Sequence, residues 1–96
     1  MPTVLHVARR PDWEAAQASG SYPIPGGGPF IHCCFPDQLA GVLERFFAGA
    51  DADLLQLTID PAGLPLVVEP ADNGAGEFPH LHGALPVASV VDVRPL

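Results

Sequence analysis

The sequence contains no lysine, and its only cations are four arginines set against eleven carboxylates, for a formal charge of −7. Nucleic-acid binding draws most of its affinity from cationic contacts with phosphates. Only Arg9 and Arg10 are adjacent along the chain, so we expect no duplex nucleic acid as a partner. A single small phosphate-bearing ligand, held by one or two arginines, is compatible with this composition.

Long hydrophobic runs and a secretory leader are also missing. No apolar segment approaches the ~20 residues of a membrane-spanning helix, and the N-terminus has no basic region followed by an apolar core. Cysteine is scarce, since Cys33 and Cys34 are the only two and are adjacent. A disulfide between neighbours would form a strained ring without cross-linking the chain. These absences predict a cytoplasmic protein with reduced thiols and no membrane partner.

The sequence does have enough apolar residues for one small globular domain. Its 96 residues are 48% hydrophobic, and a chain of this length is too short to divide into two stable cores. We therefore assign residues 1–96 to a single domain. Twelve prolines and ten glycines fall mostly between apolar runs, where they mark turns.

Hydrophobic patterning predicts an α+β fold with the order βα–βα–βββ, which favours one mixed β-sheet packed against two main helices. The clearest helix opens at Pro36 and ends at Gly49, and its apolar side chains recur at helical spacing, so we expect it to anchor the core. A turn over residues 60–63 predicts a hairpin between the strands on either side. The other predicted elements are a helix at 11–18 and strands at 3–8, 30–35, 54–59, 64–69 and 87–93.

All the imidazoles and thiols lie in three short segments, at His6, at residues 32–34 and at residues 80–82. A histidine on a strand is commonly a hydrogen-bonded structural residue. His32, however, lies inside an apolar run, where a polar ring lowers stability unless a partner satisfies it. It therefore needs either a structural partner or a functional reason.

Two chemistries remain open alternatives for these segments. The adjacent cysteines point to opposite faces of a strand, whereas His80 and His82 can share a face. His32, Cys34 and one of the later histidines could meet in space, but the spacing matches no strong zinc pattern, so no metal is expected. Cys34 lies just before a helix N-terminus, where the helix dipole lowers a thiol pKa, with His32 two residues away. Small buried hydrophobes are the favoured interpretation of both thiols.

Several blocks in fixed order carry a resemblance that covers nearly the whole chain. They are V-L-H-V, a tryptophan in the first helix, G-S-Y, F-I-H-C-C-F-P-D-Q-L, L-T-I-D, V-V-E and F-P-H-L-H-G-A-L. Together they resemble a bacterial family known as domain of unknown function 952. The resemblance implies a small mixed α+β domain similar to a reduced ADP-ribosyltransferase scaffold.

The resemblance also implies a site. Some proteins on that scaffold are similar to RNA 2′-phosphotransferases, in which two strand-borne histidines grip ribose or phosphate derived from NAD. His6 and His32 occupy those positions, and Glu69 stands where an acid would stabilise an oxocarbenium ion. The expected catalytic residues are His6, His32 and Glu69, the expected ligand-binding residues are Arg9, Trp13, Tyr22, Cys34, His80 and His82, and the implied cofactor is NAD.

The sequence departs from the family pattern at two of these positions. Cys34 stands where a serine is usual, and His82 stands where a tyrosine is usual, which removes a phenol from any ring-stacking role at that position.

Two hypotheses of function follow. In the first, the protein binds NAD, ADP-ribose or a related nucleotide and transfers or hydrolyses an ADP-ribosyl group, with Trp13 or Tyr22 stacking on a base. In the second, the same pocket is a non-catalytic module for a small ligand or a peptide, covered by the Pro/Gly-rich loop at residues 21–29. Both require folding to gather the distant histidines into one cavity.

Overall fold

The computed structural model describes residues 2–49, 53–71 and 76–96, and in it each predicted helix and strand is found, with shifted bounds. The α+β fold with two α-helices is confirmed. None of the described helices has the length and apolar character needed to cross a membrane. The elements are β1 (Val4–Arg9), α1 (Arg10–Ser19), β2 (Ser21–Tyr22), β3 (Ile31–His32), α2 (Leu39–Phe46), β4 (Leu54–Ile59), β5 (Leu66–Pro70), β6 (Glu77–Leu81), β7 (Leu85–Pro86) and β8 (Val90–Pro95).

The described strands form three sheets instead of the single sheet expected. Their orders are β1–β4–β8, β3–β6–β5 and β2–β7, and every ladder is antiparallel. The two three-stranded sheets meet at a bridge between Leu5 and Cys34. The overall architecture is therefore two small sheets joined edge to edge, with the β2–β7 ribbon beside them.

The predicted hairpin between β4 and β5 is wrong. β4 is the central strand of its sheet and pairs with β1 and β8, whereas β5 pairs with β6. The turn forms, with the Leu64 N–H donating to the carbonyl of Pro61, but Pro65 follows it and has no N–H for a ladder. The Pro65 carbonyl instead accepts from the N–H of His82, which directs the chain onto β6.

The hydrophobic core lies between the sheets and α1. On α1, Trp13 and Ala16 are three residues apart and both are buried, because that spacing places them on one helix face. The helix ends at Gly20, whose φ of 88° is left-handed and whose N–H donates to the carbonyl of Ala16. The buried cluster also contains Val4, Ala8, Ile31, Leu55, Leu57, Ile59, Leu81 and Leu85.

The helix expected to anchor the core does not do so. No residue of α2 is buried, and Phe46 is 64% exposed. The apolar side chains of α2 do lie on one side of the helix, but this side faces an open cavity and does not pack against the core. Periodicity shows which side of a helix turns inward, while the distance to the opposing surface is set by the tertiary fold.

We expect Leu57→Ala to lower the free energy of unfolding by about 2–5 kcal/mol, because Leu57 is completely buried in the central strand. Phe46→Ser should lower it by no more than about 0.5 kcal/mol, since most of that side chain is already in water. Urea unfolding followed by Trp13 fluorescence measures both. Equal losses in the two variants would contradict the half-exposed position of α2.

Candidate functional site

One face of the sheet β3–β6–β5 gathers three of the four histidines. The register places His32 directly opposite His80, and His82 follows two residues later on the same side of the chain. Side chains alternate between the faces of a sheet, so the neighbours Ile31 and Leu81 point the other way, where both are fully buried in the core. The apolar residues of these strands therefore determine where the imidazoles lie.

Phe30 completes an aromatic cluster on this face. Its ring is stacked on that of His80, with centroids 3.9 Å apart and planes 15° from parallel. The His32 and His82 rings lie 4.8 Å and 5.2 Å from it, and His32 meets His80 edge-on at 5.6 Å. Sequence reasoning missed Phe30, although its place two residues before His32 in a predicted strand indicated a shared face.

Glu69 holds two of these rings. It lies on β5, diagonally across from His80, and its Oε1 accepts hydrogen bonds from His80 Nδ1 at 2.9 Å and His82 Nε2 at 2.5 Å. These bonds, first that of His82 and then that of His80, lower the pKa of the Glu69 carboxyl. The group is thus a carboxylate at neutral pH, and both imidazoles carry a proton on the nitrogen that faces it.

The fourth histidine, His6, lies on β1 in the other sheet, and its ring extends to the backbone of His32. Its Nδ1 lies 2.6 Å from the carbonyl oxygen of His32, and a carbonyl only accepts, so Nδ1–H is the donor. Its Nε2 lies 3.0 Å from the Tyr22 hydroxyl, which then donates to it. Burial is the main cause that lowers the pKa of His6, and burial raises the pKa of Tyr22 to about 12. The two side chains form a neutral pair with a fixed tautomer.

His6, His32 and His80 line one cavity of about 560 Å³, together with Tyr22 and Phe30. The condition on which both hypotheses depend is therefore met. One side of this cavity comes from the apolar stripe of α2, and another from the Pro/Gly-rich loop. Those lining residues are Val42, Arg45, Phe46 and Phe47 of the α2 segment and Pro25, Gly28 and Pro29 of the loop.

Two of the four arginines form surface ion pairs, and the other two line the cavity. Arg10 pairs with Asp53 at 2.5 Å and Arg94 pairs with Asp92 at 2.7 Å. Arg9 and Arg45 line the cavity, and neither forms an ion pair within the described part of the chain. Two guanidinium groups of this strongly acidic protein therefore line the same cavity, which also contains the carboxylate of Asp12.

The structure does not bring every expected site residue to the cavity. Trp13 is 4% exposed and belongs to the core, so the stacking role expected for it is corrected: burial of a large indole stabilises the fold. Among the described residues that line the cavity, neither Glu69 nor His82 appears. Glu69 reaches it only through His80.

The thiols are placed as small buried side chains. Burial raises the pKa of Cys33 to about 12 and that of Cys34 to about 11, with Asp37 adding to the effect at Cys34. Cys34 does precede the helical turn Pro36–Gln38, but desolvation outweighs the benefit of that position. Cys34 lines the cavity as a neutral thiol, which argues against nucleophilic chemistry.

A family model described as "Protein of unknown function (DUF952)" matches residues 7–93, and the chain belongs to this family. The fold is similar to that of protein CC0527 from Caulobacter crescentus. The crystal structure of CC0527 is 27% identical with a TM-score of 0.85, over 98% of this chain and 85% of that one. Its solution NMR structure is 28% identical with a TM-score of 0.84, over 100% and 85%.

No protein with a curated description matches the sequence. The family resemblance drawn from the residue blocks is confirmed, whereas these comparisons do not connect the chain with ADP-ribosyltransferases. That similarity stays a hypothesis.

We expect the native protein to resist thiol alkylation at neutral pH, because both thiols are buried and hold their protons. Iodoacetamide labelling followed by mass spectrometry should show slow modification of the folded chain and rapid double modification in denaturant. Fast labelling of Cys34 in the folded protein would contradict this assignment.

Stability should fall with acid because of His6. Its folded pKa lies below the ordinary value of 6.5, so the unfolded chain takes up a proton that the native state refuses. The contribution is complete above the unfolded pKa and is lost as pH drops below about 6.5 toward the folded pKa, by at most about 1.4 kcal/mol per pH unit.

His6→Gln should flatten the pH dependence in that window, as measured by urea unfolding at a series of pH values. Glu69 supplies an internal comparison, since its lowered pKa makes its own contribution decline at more acidic pH, below about 4.5. An unchanged slope between neutral and mildly acidic pH in His6→Gln would refute the buried neutral imidazole.

Proposed function

We propose that this DUF952 protein binds a small nucleotide-type ligand of the NAD or ADP-ribose class in the histidine-lined cavity. The observation that carries the proposal is the meeting, in one hollow, of three imidazoles from two sheets with Arg9 and Arg45. The ring surfaces suit a base or a ribose, and the guanidinium groups suit phosphate.

The dimensions and the lining support this class of ligand. A volume of about 560 Å³ falls within the ~300–1,000 Å³ typical of small-molecule sites, which combine apolar walls with a few polar groups. The stack of Phe30 on His80 presents aromatic rings to the cavity, and the apolar side of α2 lies in the same lining. A planar base can be held between such surfaces.

Local charge explains how an acidic chain can attract an anion. The formal charge of −7 repels a long polyanion, whose contacts extend far over the surface. A diphosphate contacts only its immediate surroundings, and there the guanidinium groups of Arg9 and Arg45 outnumber the one carboxylate among the described lining residues, that of Asp12. An arginine fork binds phosphate oxygens in pairs.

The contacts favour binding over turnover. Both ring nitrogens of His6 are engaged, by the His32 carbonyl and the Tyr22 hydroxyl, so His6 cannot donate to a ribose hydroxyl without losing a bond. Glu69, the acid expected to stabilise an oxocarbenium ion, is turned toward two imidazoles. We therefore place binding first and ADP-ribosyl transfer or hydrolysis second, the latter supported by the link from Glu69 to the cavity through His80.

Arg45→Ala should weaken ADP-ribose binding by about tenfold or more, because a lost charge-assisted hydrogen bond to phosphate is worth about 1.5–3 kcal/mol. Isothermal titration calorimetry with NAD and with ADP-ribose measures the affinity. Arg94→Ala is the matched control, since Arg94 is a surface arginine already paired with Asp92, and it should bind like the parent protein.

Two results would count against the proposal. One is the absence of heat and of ring-signal shifts at His32 and His80 with millimolar ligand. The other is an equal loss of affinity in Arg45→Ala and Arg94→Ala, which would indicate a general charge effect without a defined site.

Turnover is tested separately by nicotinamide release from NAD. Binding without turnover predicts no release above the rate without protein. Release that is abolished in Glu69→Gln, with ADP-ribose affinity retained, would instead establish the transferase or hydrolase assignment.

A further inference from the structure

We propose that Glu69, His80 and His82 form a binding site for a divalent metal ion, with Zn²⁺ as the ion that fits best. One ligand atom from each side chain lies within 4.8 Å of the other two. The proposal stands on this cluster and does not depend on a nucleotide in the cavity.

The sheet itself builds the cluster. His80 and the residue two positions later, His82, lie on one side of the β6 chain because side chains alternate along a strand. Glu69 lies on the neighbouring strand β5, where its pairing partner is Phe78 and the partner of Val67 is His80. This diagonal relation brings the side chains of Glu69 and His80 into contact. His82 follows the end of β6, where its N–H donates to the carbonyl of Pro65.

The donor set indicates the kind of metal. Two imidazole nitrogens and one carboxylate oxygen are the ligands of many zinc sites, whereas Mg²⁺ and Ca²⁺ prefer oxygen alone. Three protein ligands leave a position open for water or for an oxygen of a bound molecule, which is the arrangement of catalytic zinc sites as opposed to structural ones.

The distances need only a small adjustment. Zinc bonds of about 2.1 Å in a tetrahedral site separate the ligand atoms by about 3.4 Å. Glu69 Oε1 now lies 2.9 Å from His80 Nδ1 and 2.5 Å from His82 Nε2, so both of these distances increase by less than about 1 Å. The ligand atoms of His80 and His82 lie within 4.8 Å of each other, so they approach by at most about 1.4 Å. The two N–H···O hydrogen bonds are exchanged for coordination, and each imidazole then carries its proton on the other ring nitrogen.

Neighbouring packing restrains the ligands. Phe30 is stacked on His80 at 3.9 Å and lies 5.2 Å from the His82 ring, which limits the rotation of both imidazoles before an ion arrives. Such support increases metal affinity. Since His80 also lines the cavity, the proposed ion would adjoin the place where a small ligand enters.

The test uses the full chain, stripped with a chelator and then titrated with Zn²⁺ in a calorimeter. We expect one ion per chain, and we expect His82→Ala and Glu69→Ala each to bind at least about tenfold more weakly. Glu77→Ala is the matched control, because it removes an exposed carboxylate from the same strand without touching the cluster, and it should bind like the parent protein.

A second readout identifies the ligand atoms. Long-range proton–nitrogen spectra of the histidine rings should show zinc moving the Nδ1 signal of His80 and the Nε2 signal of His82 as the coordinated nitrogens. If Glu69→Ala unfolds, Glu69→Gln preserves the shape and should still weaken binding, since an amide oxygen is a poorer zinc ligand than a carboxylate.

Two outcomes would overturn the site. The first is a parent protein that binds no zinc at up to about 100 μM, a concentration that corresponds to only about 5–6 kcal/mol of binding free energy. The second is unchanged zinc affinity in both His82→Ala and Glu69→Ala, which would assign any binding to scattered surface groups. Either result leaves the nucleotide proposal standing, because that is judged by Arg45→Ala with ADP-ribose.

Discussion

The pairing of β3 with β6 is the constraint on which the site depends. When His32 lies opposite His80, Ile31 and Leu81 are directed into the core, where burial of each is worth roughly 1.5–3 kcal/mol. A slip of β3 by one residue would put the His32 imidazole in the core and the Ile31 side chain in water. The position of the polar cluster is therefore enforced by the apolar residues between its members.

A second constraint joins this sheet to the other one. The bridge between Leu5 and Cys34 brings the sheets edge to edge, and the His6 ring spans the junction from Tyr22 to the His32 carbonyl. Because His6 is buried and both of its ring nitrogens are hydrogen-bonded, its ring links the two sheets at this junction. The cavity is thus lined by residues of both sheets and by helix α2, none of whose residues is buried.

Local features of this fold were accessible from the sequence, and pairing was not. Alternation and turn residues located β1, β4 and α1 to within one or two residues. The partners of β4 were missed, because strand pairing depends on which apolar faces must be covered and on details such as the missing N–H of Pro65. The position of α2 beside a cavity was missed for a related reason. The apolar stripe shows which side of the helix faces the protein, but it does not show which surface lies opposite.

In the candidate site, too, several residues could be named from the sequence, whereas most of their contacts could not. The gathering of His6, His32 and His80 was a condition that the sequence left open, and the three residues line one cavity in the structure. The contact of Glu69 with two imidazoles was not expected, because a diagonal contact requires the β5–β6 register, which a single sequence does not contain. Trp13 shows the opposite case: an aromatic residue proposed for a ligand serves the core, and only its packing could reveal that.

The stacking of Phe30 on His80 has a consequence for specificity. One face of the Phe30 ring is covered by the imidazole of His80. A planar group that enters the cavity must therefore either stack on the free face of one of these rings or separate the two rings. Stacking preserves the attraction between the rings, whereas separating them sacrifices it. The cavity should therefore bind planar molecules that extend the stack more tightly than bulky, non-planar molecules, even when both carry the same charged groups.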